Sequence, residues 1–178
     1  MHLNEETLSV EEIFKGKILN VTKDKVLLEN SNISYREVIH HNGGVCVVPV
    51  TDEGEIIFVK QFRYPFKTVL TEVPAGKLEK GENHRECGLR ELKEEIGATP
   101  SEFVYLGECL PTTAYLSERI HMYLAKGLSF SEQHLDEDEF LEIIKIPFEE
   151  LLEKVVSGEI KDAKTQVAVM KARMRNLV

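Results

Sequence analysis

Over its first forty or so positions the chain alternates apolar and polar residues, as in KGKILNVTKDKVLLEN and ISYREVIHH, with turn residues between the runs. Period-two alternation predicts strands, here a short antiparallel sheet. Asn42-Gly43-Gly44 punctuates the chain, and VCVVPV (45–50) opens a new strand. Asp52-Glu53-Gly54 predicts a tight hairpin turn leading into EIIFVKQF. Further strands are predicted at 69–73, 103–110, 119–125 and 141–146. After Pro147, FEELLEKVV has a helical period that stops at Ser157-Gly158, and a last helix is predicted from about Ala163 towards Arg175. Strands with interspersed helices and a helix at the end imply an α+β fold, with a mixed sheet covered on both faces. The chain has no internal repeat and no low-complexity segment.

The stretch GKLEKGENHRECGLRELKEEIGA (76–98) is the richest in chemistry. Asn83 followed by Glu86 has the spacing of a capping box, and Gly97 is a natural left-handed terminator, so a helix of about four turns is expected between them. Leu89, Leu92 and Ile96 give it one apolar face. Glu91 and Glu95 lie one turn apart with Glu94 beside them, so the three carboxylates are expected to project over one sector away from the core. Arg90 can pair with Glu94 at i, i+4, holding one carboxylate while the others stay free. An acidic helix face is ordinarily a solvated one. Like charges at this spacing repel, however, and a hard divalent cation accounts for them, because Mg²⁺ prefers oxygen ligands and keeps water and substrate phosphate in its other positions.

Composition narrows the partners. The 178 residues suffice for one domain or a domain with a small appendage. A net charge of −9 argues against nucleic-acid and membrane-surface partners, which need a basic patch. For an enzyme acting on phosphates, the same charge would require local neutralisation by bound cations. Cys46, Cys87 and Cys109 are odd in number and lack metal-site spacing, which predicts buried thiols in a reducing compartment. With no secretory signal, lipidation motif or long apolar span in the sequence, the cytoplasm is the default expectation.

Gly76, Glu82, Arg90, Glu91, Glu94, Glu95 and Gly97 stand at the fixed positions of G-x5-E-x7-R-E-apolar-x-E-E-x-G-apolar. The segment thereby resembles the Nudix box, the signature of hydrolases that cleave a nucleoside diphosphate linked to another group. REVIHHNGGVCVV (36–48), QFRYP (61–65), TEVPAGKLE (71–79), DEDEFLEI (136–143) and GEIKDAKT (158–165) extend the resemblance over nearly the whole chain, to bacterial ADP-ribose pyrophosphatases. It implies a Nudix αβα sandwich over residues 43–178, preceded by a small antiparallel β region at 1–42 that builds a homodimer.

The resemblance places Mg²⁺, with Mn²⁺ as the alternative, on Glu91, Glu95, the backbone carbonyl of Ala75 and Glu139. Glu137, in the acidic run Asp136-Glu137-Asp138-Glu139, becomes the candidate base, with Glu94 and Arg90 beside the chemistry. On its own the run reads as a solvated acidic loop, the usual fate of such runs. Arg36 and Arg63 become candidate substrate contacts, Arg36 reaching into the partner subunit's site, with Glu82 as a further contact. Glu118 corresponds to a position near the ribose, and Phe14 is placed to stack on adenine unless it is a core or interface residue. The implied reaction is Mg²⁺-dependent hydrolysis of ADP-ribose to AMP and ribose 5-phosphate. Another nucleotide diphosphate sugar is the alternative substrate, and a non-catalytic nucleotide sensor on the same fold is the alternative class. One departure bears on substrate choice: Thr113-Ala114 stands where many relatives carry Pro-Gly.

Overall fold

The computed structural model describes residues 3–135, 137 and 139–178. Asp136 and Asp138, half of the acidic run, lie outside the described residues. The chain divides into two compact units. One comprises the chain up to Gly43 together with Leu110–Arg119; the other comprises Gly44–Cys109 and Ile120–Val178.

In the first unit, β1 (Glu6–Lys15), β2 (Asn20–Leu27) and β3 (Ile33–His40) form an antiparallel sheet in that order. Residues 110–119 join it through Ile39, whose N–H donates to the Tyr115 carbonyl at 2.7 Å and whose carbonyl accepts from Ser117 at 2.9 Å. The alternation read at the N-terminus is real, but β1 is exposed at every position, with Leu8, Val10, Ile13 and Phe14 all uncovered in the single chain.

The second unit carries the larger core. A mixed sheet has the order β7 (Ala75–Lys77), β4 (Gly44–Pro49), β9 (Ile120–Phe130), β8 (Ala98–Cys109), with β4 and β9 parallel. A second, antiparallel sheet has the order β10 (Glu142–Pro147), β5 (Glu55–Arg63), β6 (Thr68–Glu72). Strand β4 is buried throughout, so its alternating side chains feed two cores. Cys46 and Val48 pack with Leu151 of α2 (Phe148–Val156) and with Ala168, Val169 and Ala172 of α3 (Ala163–Met174). Val45 and Val47 pack instead with Cys87, Leu92 and Ile96 of α1 (His84–Ile96). The expected helix-sheet-helix layering is what these two clusters describe.

The predicted strands and helices recur with shifted ends, and one strand, β7, was not predicted. Strand β8 begins at Ala98 rather than 103, because Ala98, Thr99 and Pro100 pair with Phe130, Ser129 and Leu128 of β9. Strand β7 is three residues long and has no periodicity of its own; it exists because it pairs with β4.

Candidate active site

Helix α1 is capped at Asn83, whose Oδ1 accepts from the Arg85 N–H at 2.8 Å, and ends at Gly97 in the left-handed conformation, φ 67°. A Cβ at Gly97 would also come within 2.2 Å of the Ser131 carbonyl oxygen. The helix end is therefore tied to the loop after β9: Ser131 N–H donates to the Gly97 carbonyl at 2.8 Å and His134 N–H to the Glu94 carbonyl at 3.0 Å. Gln133 Nε2 donates to the Glu95 carbonyl. These bonds satisfy carbonyls that a helix C-terminus leaves without intrahelical donors. They also anchor, on the helix that carries Glu91 and Glu95, the loop that leads to Glu137 and Glu139.

The carboxylates are arranged differently from the expectation of a face turned away from the core. Glu94 is the most open of the three, Glu91 is 13 % exposed at its side chain, and Glu95 is only 3 % exposed as a residue. Helix α1 lies against β7 and β4, and burial of its neighbours Leu92 and Ile96 carries Glu95 in with them. Glu95 Oε2 accepts from the Ala75 N–H at 3.0 Å. Glu91 rests against Gly76, where a Cβ would lie 1.7 Å from its carboxyl carbon, so the absence of a side chain at 76 makes room for that carboxylate. Glu139 is half-buried, with Gln61 Nε2 donating to its Oε1 at 3.5 Å, and Glu137 is exposed.

Arg90 holds more than one carboxylate. Its Nε and Nη2 donate to Glu82 at 3.0 and 3.1 Å, and its Nη1 donates to Glu91 at 2.8 Å and Glu94 at 2.9 Å. Glu82 also accepts from the Glu79 N–H at 2.9 Å, and the Arg90 hydrogen bond lowers its pKa to about 2. Glu82, expected as a substrate contact, thus has both carboxylate oxygens occupied within the protein.

Electrostatics single out Glu95. Burial, followed by the neighbouring Glu91 and Glu139 charges, pushes its carboxyl well above the usual range. Burial raises Glu91 as well, against the pull of Arg90. Among the described residues, no three His, Cys, Asp or Glu side chains converge closely enough to encircle an ion unaided. The donors nonetheless fit a hard cation: three mutually repelling carboxylates, two of them desolvated, beside the main chain at Ala75.

Arg63 is drawn to a different partner. Its Nε and Nη2 donate to the two oxygens of Glu72 at 2.6 and 2.7 Å, and Lys164 of α3 reaches the same carboxylate. Burial raises the Glu72 pKa, but the Arg63 hydrogen bonds and the Lys164 charge outweigh it, and the net shift is downward. A carboxylate depressed in this way contributes stability that is present above its unfolded value of about 4.3 and is lost as pH falls through the folded value. Glu72→Gln should cost about 3 kcal/mol at pH 7, because it removes a buried carboxylate and leaves the half-buried Arg63 and Lys164 short of countercharge. Urea unfolding should show the gap to wild type narrowing as pH drops below about 4. A gap independent of pH would show that packing, not charge, is what Glu72 supplies.

The remaining predicted residues lie in the first unit. Arg36 is clamped by Glu5 through Nε at 2.9 Å and Nη2 at 2.5 Å, Glu118 lies 3.4 Å from His41 Nδ1, and Phe14 is exposed. Sequence reasoning missed Gln61 and Gln133, the polar contacts to Glu139 and to the end of α1. Gln61 stood inside QFRYP, but nothing local to that run signals a partner 78 residues away.

The profile of the NUDIX domain matches residues 40–166. The ADP-ribose pyrophosphatase of Bacillus subtilis (strain 168) is 42% identical over 97% of this chain and 95% of its own length. The methanol dehydrogenase activator of Bacillus methanolicus is 41% identical over 93% of this chain and 90% of its own. A crystal structure of an ADP compounds hydrolase superposes with a TM-score of 0.87 at 21% identity, covering 97% of this chain and 94% of that one, which shows the fold.

Proposed function

The chain belongs to the NUDIX domain family, and on that premise we propose that it hydrolyses the diphosphate of ADP-ribose to AMP and ribose 5-phosphate. The observation that carries this reading is the cluster of Glu91, Glu95 and Glu139 against the Ala75 main chain, with Glu91 and Glu95 desolvated, in a chain 42% identical over most of its length to an ADP-ribose pyrophosphatase. A sensor domain has no need to bury carboxylates at such electrostatic cost.

Glu91, Glu95, Glu139 and the Ala75 carbonyl would hold Mg²⁺ or Mn²⁺. When bound, the cation offsets the charge of the diphosphate and lowers the pKa of water. Glu137, exposed on its loop, accepts the proton of the attacking water. Arg90 orients Glu91 and shares Glu94, while Glu82 braces Arg90 from the other side. Arg63 keeps Nη1 for a phosphate oxygen after spending two nitrogens on Glu72.

Residues 1–42 are the dimerising region in this reading, and Arg36, Glu118 and Phe14 serve the substrate, Arg36 in the partner's site. The uncovered Leu8, Val10, Ile13 and Phe14 of β1 support it, since so small a sheet does not bury its own apolar residues. Light scattering should give about twice the 20.3 kDa chain mass; a strictly monomeric active enzyme would sink the dimer. Cys46, Cys87 and Cys109, none of them in a disulfide, suit a reducing, cytoplasmic setting.

Hydrolysis in ¹⁸O-labelled water tests the reaction. Negative charge accumulates on the phosphoryl oxygens during phosphoryl transfer, where the acidic site would gather its cations, so the label should enter one phosphate product only; by resemblance to ADP-ribose pyrophosphatases, that product is AMP. Label in ribose 5-phosphate would keep the reaction class and reverse the substrate orientation. ADP and free ribose as products would refute the diphosphatase, and faster turnover of another nucleotide sugar would reassign the substrate.

A further inference from the structure

We infer that Thr165, together with Asp162 and Lys164 at the start of α3, is a positioning residue: its hydroxyl fixes the Val73–Ala75 main chain on which Glu95 is held. The run GEIKDAKT has no role in the chemistry above, yet three of its last four residues are built into the support of the acidic site. Asp162 caps α3, its Oδ2 accepting from the Thr165 N–H at 2.9 Å and from the Thr165 hydroxyl at 2.6 Å. With its proton so committed, Thr165 Oγ1 presents a lone pair to the Val73 N–H at 3.0 Å. Thr165 is fully buried, so no water replaces that acceptor. Lys164 contacts both Asp162, at 3.0 Å, and Glu72, and so fixes the residue before Val73 as well.

The constraint then passes along three consecutive residues. The Val73 N–H is held by Thr165, the Pro74 carbonyl accepts from Val47 N–H at 2.9 Å, and the Ala75 N–H donates to Glu95 at 3.0 Å. The pyrrolidine ring of Pro74 fixes φ between the two amides, so the orientation set at Val73 reaches Ala75 with little slack. A helix far along the chain thereby sets the direction of the amide that receives the most buried acid of the site. The effect on cation binding rests on the function proposed above; the effect on the Ala75 amide does not.

Amide exchange in the cation-free protein reads the second directly. Thr165→Val keeps shape and removes the hydroxyl, and Thr165→Ser keeps the hydroxyl and removes the methyl. Exchange at Ala75 should rise about 10-fold or more in the Val variant and stay within about twofold in the Ser variant. Mn²⁺ titration followed by electron paramagnetic resonance should show affinity about 10-fold weaker for Val and near wild type for Ser. Should the Val variant fail to fold, Thr165→Cys, a weaker hydrogen-bonding group of similar size, should fall between Ser and wild type on one side and loss on the other. Unchanged Ala75 exchange in the Val or Cys variant, or damage by Ser with Val spared, overturns the inference and leaves Thr165 a packing residue. Failure of the wild-type protein to bind Mn²⁺ strikes the proposed cation site instead, and the exchange series still decides the role of Thr165.

Discussion

Glu95→Gln is expected to lower kcat/KM for ADP-ribose by at least about 100-fold while leaving the cation-free protein as stable as wild type or more so. The loss exceeds the 10- to 100-fold typical of residues that only orient metal ligands, because here a proposed ligand itself loses its charge. The stability follows from burial. Glu95 is almost wholly out of water, and burial, then Glu91 and Glu139, raise its carboxyl well above the usual range. A raised acid is favoured in its neutral form. In the absence of cation, its contribution to stability is therefore greatest below the unfolded value of about 4.3 and declines as pH rises towards the folded value. Glutamine removes that decline and keeps an oxygen for the Ala75 N–H. Thermal melts at pH 7 should thus place the variant level with wild type or above it without Mg²⁺, and the upward shift on adding Mg²⁺ should vanish. Near wild-type turnover of the variant in saturating Mg²⁺ would remove Glu95 from the ligand set. Glu91→Gln should lose activity similarly with a smaller stability gain, since Arg90 already offsets part of the charge of Glu91.

Glu137 and Glu139 are expected to separate by phenotype, although they lie two residues apart on one loop. Glu137 is exposed, as a base that meets water and substrate must be. Glu139 is half-buried, contacts Gln61 and raises the pKa of Glu95. Glu137→Gln should therefore lower kcat by roughly 10²–10⁴-fold with little change in the Mg²⁺ concentration for half activity. Glu139→Gln should raise that concentration. The opposite pattern would exchange the two roles. Equal and mild effects from both would hand proton transfer to another group.

How Arg90 is used shows where local reasoning reached and where it stopped. Its pairing with Glu94 follows from helical spacing and is present at 2.9 Å. Its grip on Glu82 is set by the turn that brings residues 79–82 back over the helix start, which spacing along the helix does not contain.

By itself the sequence determined the helix bounded by Asn83 and Gly97 and most of the strands, and its resemblance to the Nudix box pointed to the family and to the carboxylates in the box. The helix and strands depend on caps, turns and periodicity, all of which act over a few residues. Only the tertiary structure decided that Glu95 is buried, that Glu91 lies over Gly76, that Arg63 is spent largely on Glu72, and that α3 supports Val73 through Thr165. Each of these depends on which segments meet across the fold. The partner of Val73, for example, lies 92 residues further along the chain. A pattern with a period of two or 3.6 residues says which face of an element turns inward, but not which polar group waits there to meet it.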